Sequence, residues 1–507
     1  MDELLLGVDI GTFASKGVLC TAAGRIVATQ EVEHGLDVPR AGWAEHDADR
    51  VWWADFVALT RRLLDGRDPA SVRSVGVSAI GPCLLPLDEA DRPLRPGILY
   101  GIDTRASEEV AELTAAIGED TLVDLGGMTL SSQAMGPKLC WLRRHEPQVW
   151  ARTRSVLTAS AYLVLRLTGR RVMDPHTASH YNPLFDLAAV GWSDRFSSLV
   201  APSQWLPPLQ WPTEQAGVVT PAAAAETGLR AGTPVAAGTV DAAAEALSVG
   251  VRRPGDLMLM YGTTAFFILV TPGAVRTRGM WSTAYCLPGM YDLAAGMATT
   301  GALTRWFRDG FARDLGPDGY RALTAEAEAT PPGAAGLVVL PYWSGERTPI
   351  QDPEARGVVA GLTLAHTRGH VYRALLEGTA YGIRHNLDTM ADLGADVRRV
   401  VAVGGGTRSP LWLQIVSDVT GVAQEVPAET IGAAYGDAFL AGVAAGCVPG
   451  VEAIDTWTRP GRTVEPRAGI HERYRRYYEV YRAVYEQGRD QWHALARLGA
   501  PDAPSGR

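Results

Sequence analysis

The sequence predicts an α/β protein made of two domains of one topology, and three observations carry that expectation. Short apolar runs such as "LLLGVDI" and "VRSVGVSAI" alternate with longer stretches whose apolar residues recur at helical spacing. A pattern of strand, Gly-Thr turn and strand occurs twice, as "LLLGVDIGTFASKGVL" from position 4 and "GDLMLMYGTTAFFILV" from position 255. At 507 residues the chain exceeds one ordinary hydrophobic core. A repeated hairpin in a chain of this length divides it into domains 1–247 and 248–507.

Taken in order, the opening run is a strand that turns at Gly11, returns through "KGVLC" and turns again at Gly24-Arg25. After "GWAEHDADRVWWADFVALTRRLL", which continues into a helix, "VRSVGVSAI" is a second buried strand. "PKLCWLRRH" and "SAYLVLRLTG" read as helices, the latter closed by Gly169. "TPVAAGTVD" is a strand that ends on Asp241 and runs into the alanine-rich "AAAEALSVG". In the second half, "RRVVAVGGGTRSPLWLQIVSDVTG" is strand, glycine turn and helix, and "IGAAYGDAFLAGVAAG" is a helix of small residues. Near the end Tyr474, Tyr477, Tyr478, Tyr481 and Tyr485 fall at helical spacing, a packing stripe, and "APDAPSGR" is a tail.

Composition narrows the function classes. The 47 Lys and Arg stand against 56 Asp and Glu, and the net charge of −9 is not gathered in a block, which disfavours nucleic acid or a membrane surface as partner. The five cysteines (Cys20, Cys83, Cys140, Cys286, Cys447) have no CxxC or metal spacing and point to a reducing, cytoplasmic setting. No secretory segment opens the chain, and its most apolar stretch, 257–270, is too short to span a bilayer.

Three glycine turns follow strands: Gly11-Thr12, Gly262-Thr263-Thr264, and Gly404-Gly405-Gly406-Thr407. Glycine lets backbone amides approach phosphate oxygens, and a threonine hydroxyl adds a donor. Asp9 ends its strand beside the first turn, where it could hold hydrated Mg²⁺, and Lys16 could stand near the phosphates. Asp241 ends another strand just before a helix, as an N-cap or as the base that takes a proton from a substrate hydroxyl. Phosphoryl transfer needs these parts: a cradle, a metal ion and a carboxylate that orients the acceptor.

These residues match a known pattern. The chain resembles the FGGY carbohydrate kinases, of the actin/hexokinase/Hsp70 superfamily, and is most similar to the xylulokinase-like branch. The resemblance runs from "GVDIGTFASKGVL" to "GGGTRSPLWLQIVSDVTG" and includes "GVVAGLTLAHTRGHVYRALLEG", "LPYWSGERTP" and the Trp43-x-Glu45 segment "GWAEHDADRVWW". A looser signature at "PKLCWLRRHEP" keeps Lys138, Trp141 and His145, with Met135 where a small or hydroxyl residue is usual. The resemblance implies two RNase-H-like domains with a cleft between them, a domain 1–247 that holds sugar and catalytic base, and a domain 248–507 that holds ATP. It implies Asp241 as base, Asp9 at Mg²⁺, and an ATP site of Thr12, Lys16, Gly262, Thr263, Gly301, Gly405, Gly406 and Pro410. On the sugar side it implies Asp103 and, with Asp241, the pair Gly81-Pro82.

That pair is a departure, because xylulokinases usually carry Met-His there and the histidine helps hold the sugar. Neither Gly81 nor Pro82 has a side-chain donor, so xylulose itself is less well supported than the phosphoryl machinery. The expected function is ATP-dependent phosphorylation of a small sugar, a pentulose first, with another ketose or a polyol as alternative. A non-catalytic actin- or Hsp70-like nucleotide switch is the reading from another class. The surroundings of Asp241 and "LPYWSGERTP" argue against it, since both fit a small-molecule pocket. Small sugar and ATP are the expected partners, with a homodimer left open.

Overall fold

Fully buried strands read as unbroken apolar runs because helices cover both faces of their sheet, and this sets the layout of the protein. The computed structural model describes residues 3–499, so "APDAPSGR" lies outside the described residues. The chain forms two compact units that are not contiguous in sequence. The first takes in residues 1–254, 270–292 and 429–459, and the second 255–269, 293–428 and 460–507.

In the first unit the sheet runs in the order Gln215–Val218, Pro234–Ala236, Val72–Ala79, Leu4–Ile10, Ala14–Thr21 and Ile26–Glu33, and Thr239–Val240 also pairs with Val72–Ala79. Leu4–Ile10 lies antiparallel to Ala14–Thr21 and parallel to Val72–Ala79, with Gly7 opposite Gly76 and Asp9 opposite Ser78. Successive side chains alternate between faces. One face, at Gly17, receives Leu59 and Leu63 of the helix Ala54–Leu64. Phe56, Leu59 and Leu63 are fully buried, each burial contributing about 1.5–3 kcal/mol.

The other face has no side chain at two facing positions, Gly7 and Gly76. A Cβ on Gly7 would lie 1.8 Å from the Ala434 carbonyl oxygen, and one on Gly76 would lie 2.1 Å from that of Asp437. The helix Ala433–Ala444 therefore rests on the strand backbone itself. From its other side Gly436 meets the Ala244 carbonyl, where a Cβ would come within 2.0 Å. Small residues, read above only as helical, are there to permit this approach.

The second unit repeats the topology. Asp256–Tyr261 pairs antiparallel with the strand that begins at Ala265 and parallel with Arg399–Val403, which is followed by Gln424–Val426 and Arg462–Val464. The helix Arg368–Asp392 packs on Pro410–Thr420 and Gly319–Glu328. Tyr474, Tyr478 and Tyr481 of the last helix, Ala468–Leu498, are buried, as a packing stripe requires. Among the described residues no helix is long and apolar enough to cross a membrane.

Candidate functional site

Four carboxyl groups meet in the first unit. Asp9 lies at the end of Leu4–Ile10, one residue before its last. Asp241 opens the helix Asp241–Ser248, and Glu245 follows one turn later on the same side of it. Asp437 arrives on the helix Ala433–Ala444. The residue in the capping position is Val240 and not Asp241, whose Oδ1 accepts the Ala242 amide at 2.7 Å. Of the two sequence readings of Asp241, the N-cap is thus not realised.

The charges repel in a setting that solvates them poorly. Burial pushes the Asp9 carboxyl up to about 6, against the pull of the Ser78 hydroxyl and of Lys16. Asp241 is raised well above the usual range by burial and then by the charge of Asp9. Glu245 rises to about 7 for the same two reasons, and Asp437 rises through burial and Asp9. Asp9, Asp241 and Glu245 keep part of their surface open, whereas Asp437 is 1% exposed. Lys16, opposite Asp9 on the paired strand, is half-exposed and 4.0 Å from Glu31.

Carboxylate oxygens are hard donors of the kind a divalent cation takes, one or two at a time. Among the described residues no three His, Cys, Asp or Glu side chains converge to chelate a bare ion.

Around this centre the other first-unit residues divide. The Thr12 hydroxyl lies 3.2 Å from that of Tyr100. Gly81-Pro82 follows the strand Val72–Ala79 and packs on Val240, to which a Cβ on Gly81 would come within 2.8 Å. The pair thus lies beside the strand end that carries Asp241. Asp103 stands apart. It is fully buried, it accepts the Ala44 amide at 2.7 Å and Arg105 at 2.7 Å, and Arg105 in turn reaches Glu45 at 2.7 Å and lies over Trp43. Its carboxylate ties the loop together through these partners. The Trp43-x-Glu45 motif has the same task.

In the second unit Gly262, Thr263, Gly301, Gly405, Gly406 and Pro410 line one cavity of about 920 Å³, a volume in the range of small-molecule pockets. The amides of Gly301 and Ala302 donate to the carbonyls of Gly262 and Thr263 at 3.0 Å, so the helix Gly301–Phe311 is docked onto the turn. A Cβ on Gly301 would meet the Gly262 oxygen at 2.4 Å, and one on Gly406 would meet Trp412 and Tyr261 at 2.8 Å. At Gly405 nothing lies within 4 Å. The glycine turn does not lead straight into a helix as the sequence suggested: a 3₁₀ turn, Gly405–Arg408, intervenes, and the Ser409 hydroxyl caps Pro410–Thr420 through the Trp412 amide. Tyr261 donates to Gln424 and meets Trp412 edge to face.

Sequence reasoning missed several lining residues. Tyr320, Arg321, Glu328 and Tyr372 complete the cavity, and no spacing marks them because they come from two different helices. Glu245 and Asp437 were also missed. An acid inside a run of small apolar residues, "GAAYGDAFLAG", is the signal that could have found the second.

With this geometry in view, comparison with known proteins is informative. The N-terminal domain profile of the FGGY family of carbohydrate kinases matches residues 4–248, and the C-terminal domain profile matches 257–445. A xylulose kinase of Escherichia coli (strain K12) is 30% identical over 490 residues, 96% of this chain and 99% of that protein. A glycerol kinase of Nocardia farcinica (strain IFM 10152) is 30% identical over 494 residues, 92% of this chain and 96% of that protein. The crystal structure of xylulose kinase from Rhodospirillum rubrum superposes with a TM-score of 0.91 at 32% identity, covering 97% of this chain and 100% of that one.

Proposed function

The chain belongs to the FGGY family of carbohydrate kinases, and we propose that it transfers the γ-phosphate of ATP to a hydroxyl of a pentulose, with Asp241 as the base. The observation that carries this reading is the partly open Asp241 carboxyl at the start of a helix with Asp9 as its charged neighbour. A base serves best when its proton affinity lies near the working pH, and burial together with the Asp9 charge raises Asp241 in that direction. Its free Oδ2 accepts the proton of the sugar hydroxyl while the Ala242 amide steadies Oδ1.

Asp9 holds Mg²⁺ in this reading, and the ion neutralises phosphate charge as the phosphoryl group moves. Thr12 and Lys16 in the first unit, and Gly262, Thr263, Gly301, Gly405, Gly406 and Pro410 in the second, hold the nucleotide. Residues 1–247 supply sugar site and base and residues 248–507 the nucleotide site, with Asp437 as a late contribution to the former. Asp103 acts on the sugar side by fixing its loop through Arg105. Four buried cysteines, none in a disulfide, accord with action in the cytoplasm.

The substrate class rests on the xylulose kinases among the relatives. A polyol is the second reading, favoured by Gly81-Pro82, which gives a keto sugar no side-chain donor beside Val240. Coupled ADP release across pentuloses, other ketoses, glycerol and larger polyols decides between them. D-xylulose or another pentulose with the highest kcat/KM supports the first reading, and a polyol leading the panel overturns it.

A further inference from the structure

The carbonyl of Gly11 and the amide of Thr12 belong to one trans peptide plane and point in opposite directions. Whatever holds the carbonyl therefore aims the amide. His34, the first residue after the strand Ile26–Glu33, grips this turn twice. Its amide donates to the Phe13 carbonyl at 2.9 Å, and its ring Nε2 lies 3.2 Å from the Gly11 carbonyl oxygen. Among the described residues the Thr12 amide has no hydrogen-bond partner. In the second unit the carbonyl of Gly262 is likewise held, by the Gly301 amide at 3.0 Å, where both residues line the cavity.

The imidazole is fixed from behind. Its Nδ1 lies 2.7 Å from Asp55 Oδ2, the Ser15 hydroxyl donates to the same oxygen at 2.7 Å, and the side chains of His34 and Asp55 are 7% and 9% exposed. His46 meets the ring edge to face at 5.1 Å and accepts the Trp52 indole N–H at 3.2 Å. Ser15 comes from the strand Ala14–Thr21 and Asp55 from the first turn of the helix Ala54–Leu64, so one ring ties strand, helix and turn together. A single hydrogen lies between Nδ1 and the carboxyl oxygen. Whichever of the two carries it, the Gly11 carbonyl can only accept, so Nε2 is the donor to it.

We propose that His34 is a positioning residue that holds the Gly11 carbonyl and so aims the Thr12 amide at a phosphate oxygen of the nucleotide, with Asp55 and Ser15 fixing its ring. The proposal rests on the place given to Thr12 in the nucleotide site above.

The test uses the full chain as wild type, H34N, H34Q and S15A. An asparagine amide takes the place of Nδ1 and keeps the donor to Asp55. A glutamine amide takes the place of Nε2 and keeps the donor to the Gly11 carbonyl. Each variant gives up one of the two ring bonds, so their Tm values should agree within a few degrees. H34N should raise the KM for ATP about tenfold while the KM for the best sugar or polyol of the panel stays unchanged, and H34Q should recover all but about threefold. Hydrogen exchange over residues 9–15 of the nucleotide-free protein should be faster in H34N than in H34Q or the wild type. H34Q as impaired toward ATP as H34N, both KM values rising together in H34N, or equal exchange in all the proteins overturns the proposal. Fast exchange in H34N with an unchanged KM for ATP would instead remove Thr12 from the nucleotide site, and the proposal with it. Should H34N fail to fold, S15A decides, since it loosens Asp55 and leaves the imidazole in place: a rise confined to the KM for ATP supports the proposal and no rise overturns it.

Discussion

In the first unit Asp9 leads through Ile10 into Gly11 and Thr12; in the second Met260 leads through Tyr261 into Gly262 and Thr263. The turns differ by one residue: the Gly11 amide closes on the Ala14 carbonyl three residues on and the Gly262 amide on the Thr264 carbonyl two residues on, each at 3.0 Å. Each first strand has an antiparallel partner on one side and a parallel one on the other. Yet where Gly7 faces Gly76 across the first pair, Met258 faces Val401 in the second. One scaffold thus serves two ends. A facing pair of glycines admits a helix backbone and, with it, Asp437 to a cluster of acids, while side chains at the matching pair leave a neutral turn over an open cavity. Topology sets where the turns lie, and side-chain volume next to them sets which charge they handle.

The sharpest break of this comparison is at the acidic end. D241A should lower kcat by about 10²–10⁴-fold, the range for removal of a general base, with nucleotide affinity in the second unit changed little. Unaltered turnover, or lost nucleotide binding measured by calorimetry, would dissolve the division of labour. Next in size is the glycine pair. G7A brings a Cβ against the Ala434 carbonyl and should destabilise the protein by about 1–3 kcal/mol or more through forced overpacking, read as a shifted midpoint in urea. A smaller effect belongs to the neutral end. G406A should raise the KM for ATP about tenfold, the scale of a loss of about 1.4 kcal/mol in binding, because Trp412 and Tyr261 leave no room. G405A, with nothing within 4 Å, should stay within about twofold.

The smallest effect is in pH. Asp9 and Glu245 have folded values of about 6 and about 7, above their ordinary 3.8 and 4.5. A group so raised binds its proton more tightly when folded, so the stability it contributes is complete below the unfolded value and disappears as pH climbs through the folded one. The nucleotide-free protein should therefore gain a few degrees in Tm from about pH 8 to about pH 5. Turnover should move the other way and fall as pH drops, because Asp241, the base of this reading, then takes up its proton. A Tm that instead falls over that interval would mean that the acids are paired with an unseen cation.

Much of this was legible in the residues because the chemistry of a phosphate cradle is local. Gly262, Thr263, Gly405 and Gly406 declare themselves by following strands, and all four line one cavity. Asp9 lies near the end of one strand and Asp241 directly after another, and the two come close enough for the charge of Asp9 to act on Asp241. What escaped notice depends on register and depth. Asp103 has the polarity of a ligand residue, but only the fold reveals that Arg105 and the Ala44 amide enclose it. Gly7 and Gly76 each look like an ordinary strand glycine until the parallel register sets them side by side. Asp437 belongs to the acidic centre only through that pairing.

The bare pair has a consequence for how the protein is born. Residues 429–459 complete the first unit, so the helix Ala433–Ala444 that covers the earliest strands is synthesised only after most of the second unit. A nascent chain stalled before residue 433 leaves the Gly7 and Gly76 backbone without the helix that belongs on it. Such a truncated product exposes strand backbone that the complete chain buries, the kind of surface on which incompletely folded chains associate.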